Sequence, residues 1–177
     1  MVEVLILNDK HKKNLGKEIF EILKTKTDCI LVSNREVLKS GKSPKILLVE
    51  NNDFKKIDVK NYILVFGETD KNLDFSVFYN ANTIILNSEN KMALKKIKQT
   101  FSQIILCGMR FCDTVTLSGV IGENATVSFC RAAKTVFGED VFENEIVLKN
   151  NNYDNFSLLA TGAILSIYKG ENFENQN

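Results

Sequence analysis

The sequence predicts an α/β protein: a mostly parallel sheet covered by helices, then an antiparallel β meander and a buried C-terminal helix. Three observations lead there. Short continuous apolar runs at residues 2–7, 45–50, 62–66, 83–86 and 103–106 have the length of strands buried on both faces. Polar or helix-patterned segments separate these runs, as in β-α-β units. Past Gly108 the apolar pattern changes to period two, broken by short Gly and Asn turns, which marks antiparallel strands.

Taken in order, residues 2–7 are a β-branched and aliphatic run that Asn8-Asp9 stops. Between His11 and Lys24, Leu15, Ile19, Phe20, Ile22 and Leu23 form one apolar stripe of an amphipathic helix. Residues 29–32 read as a second strand, and 34–38 as one helical turn capped by Asn34. After the loop 41–44 come the strand 45–50, a polar stretch 51–60 without a period, and the strand 62–66, ended by Gly67. Residues 68–82 are irregular, with Phe75, Val77, Phe78 and Tyr79 as apolar cover. The unit that organises the rest is strand 83–86, an Asn87-Ser88-Glu89 turn, a Lys-rich helix 91–100, strand 103–106 and Cys107-Gly108.

Alternating strands are then expected at 113–120, 125–136 and 141–148. The final helix, 155–168, is apolar around most of its circumference, which predicts deep burial. The expected organisation is one domain over 1–170, with a β-α-β part to about 108, the meander over 109–150, the closing helix over 153–169, and a frayed tail at 171–177.

Composition narrows the function classes. Of 177 residues, 44% are hydrophobic and 25% charged, and 23 basic against 22 acidic residues leave a net charge of +1. Such a balance gives no long-range field for nucleic acid or an anionic membrane, so neither partner is expected. No apolar run approaches the roughly 20 residues a membrane helix needs. The N-terminus enters a strand directly, so no signal peptide and a cytoplasmic location are the expectation.

Four cysteines fit reduced, structural thiols: Cys29, Cys107 and Cys130 sit in apolar runs, and Cys112 in a turn, where it should label first. The Cys107 to Cys112 spacing is not that of a zinc knuckle, and the single histidine, His11, stands in a Lys-rich turn and reads as solvated. The acidic residues Glu139, Asp140, Glu143 and Glu145 read as turn and surface positions. No nucleophile arrangement and no cleft-forming carboxylate pair is legible.

Thr83-Ile-Ile-Leu86-Asn87 before a helix, Ile104-Ile-Leu-Cys107-Gly108-Met109 and Asp113-Thr-Val-Thr-Leu-Ser118 together resemble the late part of the Mur ligase central domain. Tyr153-Asp-Asn155-Phe-Ser-Leu-Leu-Ala160-Thr-Gly-Ala163 is similar to the helix that closes it. The order of elements matches over residues 1–169. The resemblance implies an ATP-dependent ligase ancestry, in which a carboxylate is activated as an acyl phosphate with Mg²⁺ and attacked by an amine.

It also implies where a phosphate cradle would fall: between the first strand and the first helix, at Asp9-Lys10-His11-Lys12-Lys13-Asn14. Lys13 stands at the family's phosphate-binding lysine and Asn14 in place of the hydroxyl that holds Mg²⁺. Asp9 and Lys12 replace glycines. Those glycines let several backbone N–H groups converge on phosphates. Losing three or four charge-assisted hydrogen bonds at ~1.5–3 kcal/mol each removes several decades of affinity. The family's Asp-His-Leu-Asp motif has only a faint echo at residues 70–74.

Two classes of function follow, beside a third in which an enzyme site assembles only in an oligomer. In the first, a non-catalytic ligase-like domain needs no cofactor or metal and acts through a protein partner or as a homo-oligomer. Its contact is expected within residues 125–148, where Phe129, Val136, Phe137 and Phe142 cannot all face one core. In the second, weak recognition of a phosphate-containing ligand survives at Lys10, Lys12, Lys13 and Asn14. The cluster Lys10, Lys12, Lys13 and Lys17 at a helix start otherwise reads as solvated surface.

Overall fold

The computed structural model describes residues 1–8, 14–51, 54–67, 75–97 and 103–169. Its frame is a ten-stranded sheet in the order β12-β9-β8-β7-β6-β5-β1-β4-β2-β3. The strands are β1 Val2–Leu7, β2 Cys29–Ser33, β3 Val37–Ser40, β4 Ile46–Glu50, β5 Tyr62–Phe66, β6 Ala81–Asn87, β7 Gln103–Cys107, β8 Val115–Ile121, β9 Asn124–Phe129 and β12 Asn144–Lys149. Two short strands, β10 Ala133–Lys134 and β11 Asp140–Val141, pair separately. The helices are α1 Leu15–Leu23, α2 Lys91–Ile97 and α3 Asn155–Lys169, with a 3-10 turn at Phe75–Phe78.

From β2 to β7 across the centre, neighbouring strands run parallel, as the continuous apolar runs predict. β8 joins β7 in parallel at Cys107 and Val115, and β8, β9 and β12 form the antiparallel meander. Alternation along each central strand sends side chains to both faces. Val4, Ile6, Ile63, Val65, Ile85 and Ile105 lie with α1 and α3 in one core cluster. Leu5, Leu7, Leu64, Phe66, Ile84 and Leu86 lie with Phe78, Ala93 and Ile97 in the other. The apolar stripe of α1 is buried as expected, and α3 is buried from Phe156 to Ile167.

Four expectations need correction. Residues 34–38 are not a helical turn: the Ser33 hydroxyl accepts the N–H groups of Arg35 and Glu36, and this tight turn folds β3 back antiparallel on β2. Short-range turn chemistry outweighs the helical reading of Asn34 there.

The expected strand 125–136 ends at Phe129. The Gln103 side chain grips Lys134, donating to its carbonyl at 2.9 Å and accepting its N–H at 2.6 Å, so 133–141 forms a separate clasp. At the clasp, Val136 N–H donates to Ile167 O near the end of α3. The strand expected at 141–148 likewise starts only at Asn144. Cys130, expected in a buried strand, follows the end of β9 and is exposed like Cys112. The tail after 169, residues 98–100 of the expected second helix and residues 70–74 lie outside the described residues.

Candidate functional site

Parallel strands end together on one edge of the sheet, and the chain segments leaving them frame a cleft of about 580 Å³. Asn8 after β1, Gly67 after β5, Asn87 at the end of β6 and Cys107-Gly108 after β7 form its floor. The first turns of α1 and α3 supply the wall, through Leu15 and Glu18 on one and residues 155–157 on the other. The carboxyl edge of an open α/β sheet is the common place for ligands in such folds.

α1 begins at Asn14, held in the left-handed region at φ 74° and ψ 19°, with no capping bond from its side chain. Asparagine tolerates that conformation better than most residues. Capping comes instead from across the sheet. Glu50, the last residue of β4, accepts the N–H of Gly16 on Oε1 at 3.2 Å. A Cβ at Gly16 would stand 2.7 Å from Glu50 Oε2 and 2.9 Å from its carboxyl carbon, so the glycine lets the carboxylate press onto the helix. The free N–H groups and positive end of a helix attract an anion, and here a side chain of the chain itself supplies it.

The start of α3 is capped in a related way. Ser157 Oγ donates to Glu18 Oε2 at 2.6 Å, and Asp154 N–H donates to the same oxygen at 3.2 Å. Asp154 Oδ1 in turn accepts the N–H of Phe156 at 2.9 Å. Among the described residues lining the cleft, the charged ones are Glu18, Glu89 and Asp154, all acidic.

Beside the cleft lies a buried polar knot. Asp113 accepts from Ser88 Oγ at 2.9 Å, from Arg110 N–H at 2.8 Å and from Arg110 Nη2 at 3.1 Å. Its side chain is wholly buried, while Arg110 is about half exposed. A Cβ at Gly108 would collide with Ser88 Oγ and Asp113 Oδ2, so only glycine fits that position. The knot fixes the β7–β8 turn, which carries Met109 on the cleft and the fully exposed Phe111 beside it. Burial pushes the Cys107 thiol pKa up, and the Asp113 charge adds to the rise. Cys107 is therefore an inert, protonated wall residue.

Of the ligand-binding residues the sequence singles out, Asn14 is placed at the head of α1, next to the cleft. Lys10, Lys12 and Lys13 lie outside the described residues, as do Asp9 and His11. Among the contact residues, Phe129 is 2% exposed and belongs to the core, not to a surface. Val136 is half-buried against that core, whereas Phe137 and Phe142 are 68% and 56% exposed. Glu50, Glu18 and Asp113 escape a sequence reading. The available signal was an acidic residue closing a buried strand, as Glu50 does after Lys45-Ile-Leu-Leu-Val.

No family model and no curated protein matches the sequence. Solved structures do match in fold. A murein peptide ligase from Psychrobacter arcticus aligns over 95% of this chain and 47% of its own, with TM-score 0.54 and 11% identity. The UDP-N-acetylmuramoyl-L-alanyl-D-glutamate–2,6-diaminopimelate ligase aligns over 93% and 42%, with TM-score 0.53 and 8% identity. MurF ligase from Thermotoga maritima, solved with ADP, aligns over 94% and 44%, with TM-score 0.51 and 12% identity.

The fold is thus that of a Mur ligase-like α/β domain, as the sequence resemblance implies. The chain spans less than half the length of each of these ligases. No described helix is long and apolar enough to cross a membrane.

Proposed function

We propose that this chain is a non-catalytic Mur ligase-like domain that acts through protein contacts, with a partner or with itself. The observation that carries the reading is Glu50 on the first turn of α1, its Oε1 taking the Gly16 N–H at 3.2 Å. A nucleotide phosphate approaching that turn meets the carboxylates of Glu50 and Glu18 and finds the Gly16 N–H already taken. Two like charges about 4 Å apart repel by roughly 4 kcal/mol near a protein surface. The replacement of glycines by Asp9 and Lys12 works in the same direction. Support for the contact role comes from Phe111, Met109, Phe137 and Phe142, large apolar side chains left exposed.

A second reading, a weak phosphate-containing ligand, rests on the cleft itself. Its size and its position at the carboxyl edge suit a small molecule, and Lys10, Lys12 and Lys13 precede Asn14 in sequence. Thermal unfolding with a nucleotide panel separates the two, because a ligand of the native state raises the melting temperature by mass action. No shift with Mg-ATP is expected. A rise of several degrees that Lys13→Ala abolishes would establish the second reading and overturn the first.

A further inference from the structure

β12 closes one side of the ten-stranded sheet, and no described strand pairs with its outer edge. It pairs antiparallel with β9 without a bulge, from Asn144 opposite Phe129 to Lys149 opposite Asn124, and Asn150 N–H continues the ladder to Glu123 O at 2.7 Å. In an antiparallel ladder, residues alternate between those that bond the neighbour and those whose N–H and C=O point away. Asn150 bonds toward β9, so Leu148, Ile146 and Asn144 do as well. Glu145, Val147 and Lys149 therefore turn their backbone groups outward. Their side chains are also exposed and share the face opposite α3, whereas Ile146 and Leu148 are buried.

We propose that β12 is a self-complementary edge, which pairs antiparallel with β12 of a second copy of this chain about a two-fold axis at Val147. The inference rests on the reading that the domain works through protein contacts, and it names the contact. With Val147 opposite its own copy, Glu145 lies opposite Lys149 of the second copy and Lys149 opposite its Glu145. All three outward-turned residues then exchange backbone hydrogen bonds in register.

Other registers are less well matched. Of the two-residue slips, one leaves Lys149 opposite Val147 and the other opposite Glu143, which lies before β12 begins; larger slips set Glu145 against Glu145 or Lys149 against Lys149. Registers displaced by one residue place β9-facing backbone groups against outward ones. Charges on an edge strand usually block pairing; here their placement favours the register centred on Val147. In the single chain Glu145 Oε1 accepts Ser128 Oγ at 2.7 Å and Ser118 Oγ at 3.3 Å, so its carboxylate leans inward over β9 and turns outward when the second copy docks. The opposite edge, β3, has only four residues and offers no such match.

The test is the molecular mass in solution by light scattering and sedimentation, from sub-micromolar to high micromolar concentration. Wild type is expected to dimerise. Glu145→Lys and Lys149→Glu each turn two attractive cross-strand pairs into repulsive ones and should weaken the dimer roughly tenfold or more. An equimolar mixture of the two variants should recover wild-type affinity, because every cross-strand pair in the mixed dimer is again opposite in charge. Val147→Pro should leave the monomer folded, its missing N–H facing solvent, and abolish the dimer.

A wild type monomeric throughout would overturn the proposal, and so would a dimer indifferent to the charge variants or a mixture that fails to recover. None of these outcomes bears on nucleotide binding, so the proposed loss of the ATP site stands or falls separately.

Discussion

Asp113 concentrates three hydrogen bonds on one carboxylate with no solvent exposure, from Ser88 Oγ and from the backbone and side chain of Arg110. Removing the acceptor strands the buried Ser88 hydroxyl, while half-exposed Arg110 regains water. Asp113→Ala should therefore cost about 1–3 kcal/mol of unfolding free energy. Its effect should be local, read as faster hydrogen exchange in the β7–β8 turn together with a lower denaturant midpoint. An unchanged midpoint would mean that the knot adds nothing to stability.

The buried thiols set a second expectation at this scale. Burial lifts the Cys29 pKa from 9.0 to about 12 and raises that of Cys107 as well. A raised folded pKa means that the native chain keeps a proton the unfolded chain has lost. Stability is therefore full below pH 9 and falls as the pH climbs from 9 toward 12, by up to ~1.4 kcal/mol per pH unit for each group. Denaturant midpoints between pH 8 and 10.5 check this, and Cys107→Ala should flatten the slope. A midpoint constant across that range would contradict it.

Among the elements, α3 owes its depth to one small residue. A Cβ at Gly162 would stand 2.5 Å from Val127 Cγ1 and 3.0 Å from Val127 Cβ on β9. Alanine improves helix propensity by roughly 0.5–1 kcal/mol, but overpacking costs about 1–3 kcal/mol, so Gly162→Ala should destabilise. Val127→Ala in the same chain should return part of the loss; a stabilised single variant would show that the interface yields freely. The sequence makes α3 legible because its apolar residues are contiguous in kind, and the central strands likewise, since burial on both faces leaves an unbroken apolar run. Residues 34–38 and 125–141 are not legible in this way. Their shape is decided by the Ser33 hydroxyl and by the Gln103 amide gripping Lys134, contacts that no periodicity records.

The same limit applies to the site. Asn14 is placed by its neighbourhood to the first strand, but Glu50 reaches Gly16 across 34 positions of sequence. The carboxylate at that helix end becomes visible only when β4 is set beside β1.

For the whole molecule, a Mur ligase-like sheet carries a cleft at its carboxyl edge, where the described charged residues are acidic and the start of α1 already holds a carboxylate. We propose a fold kept while the nucleotide site was given up, with the outer edge of β12 as the surface that acts. Equilibrium titration of the purified chain with Mg-ATP into the millimolar range tests that claim most directly. No saturable binding is the predicted result; saturable binding that Lys13→Ala weakens would contradict it.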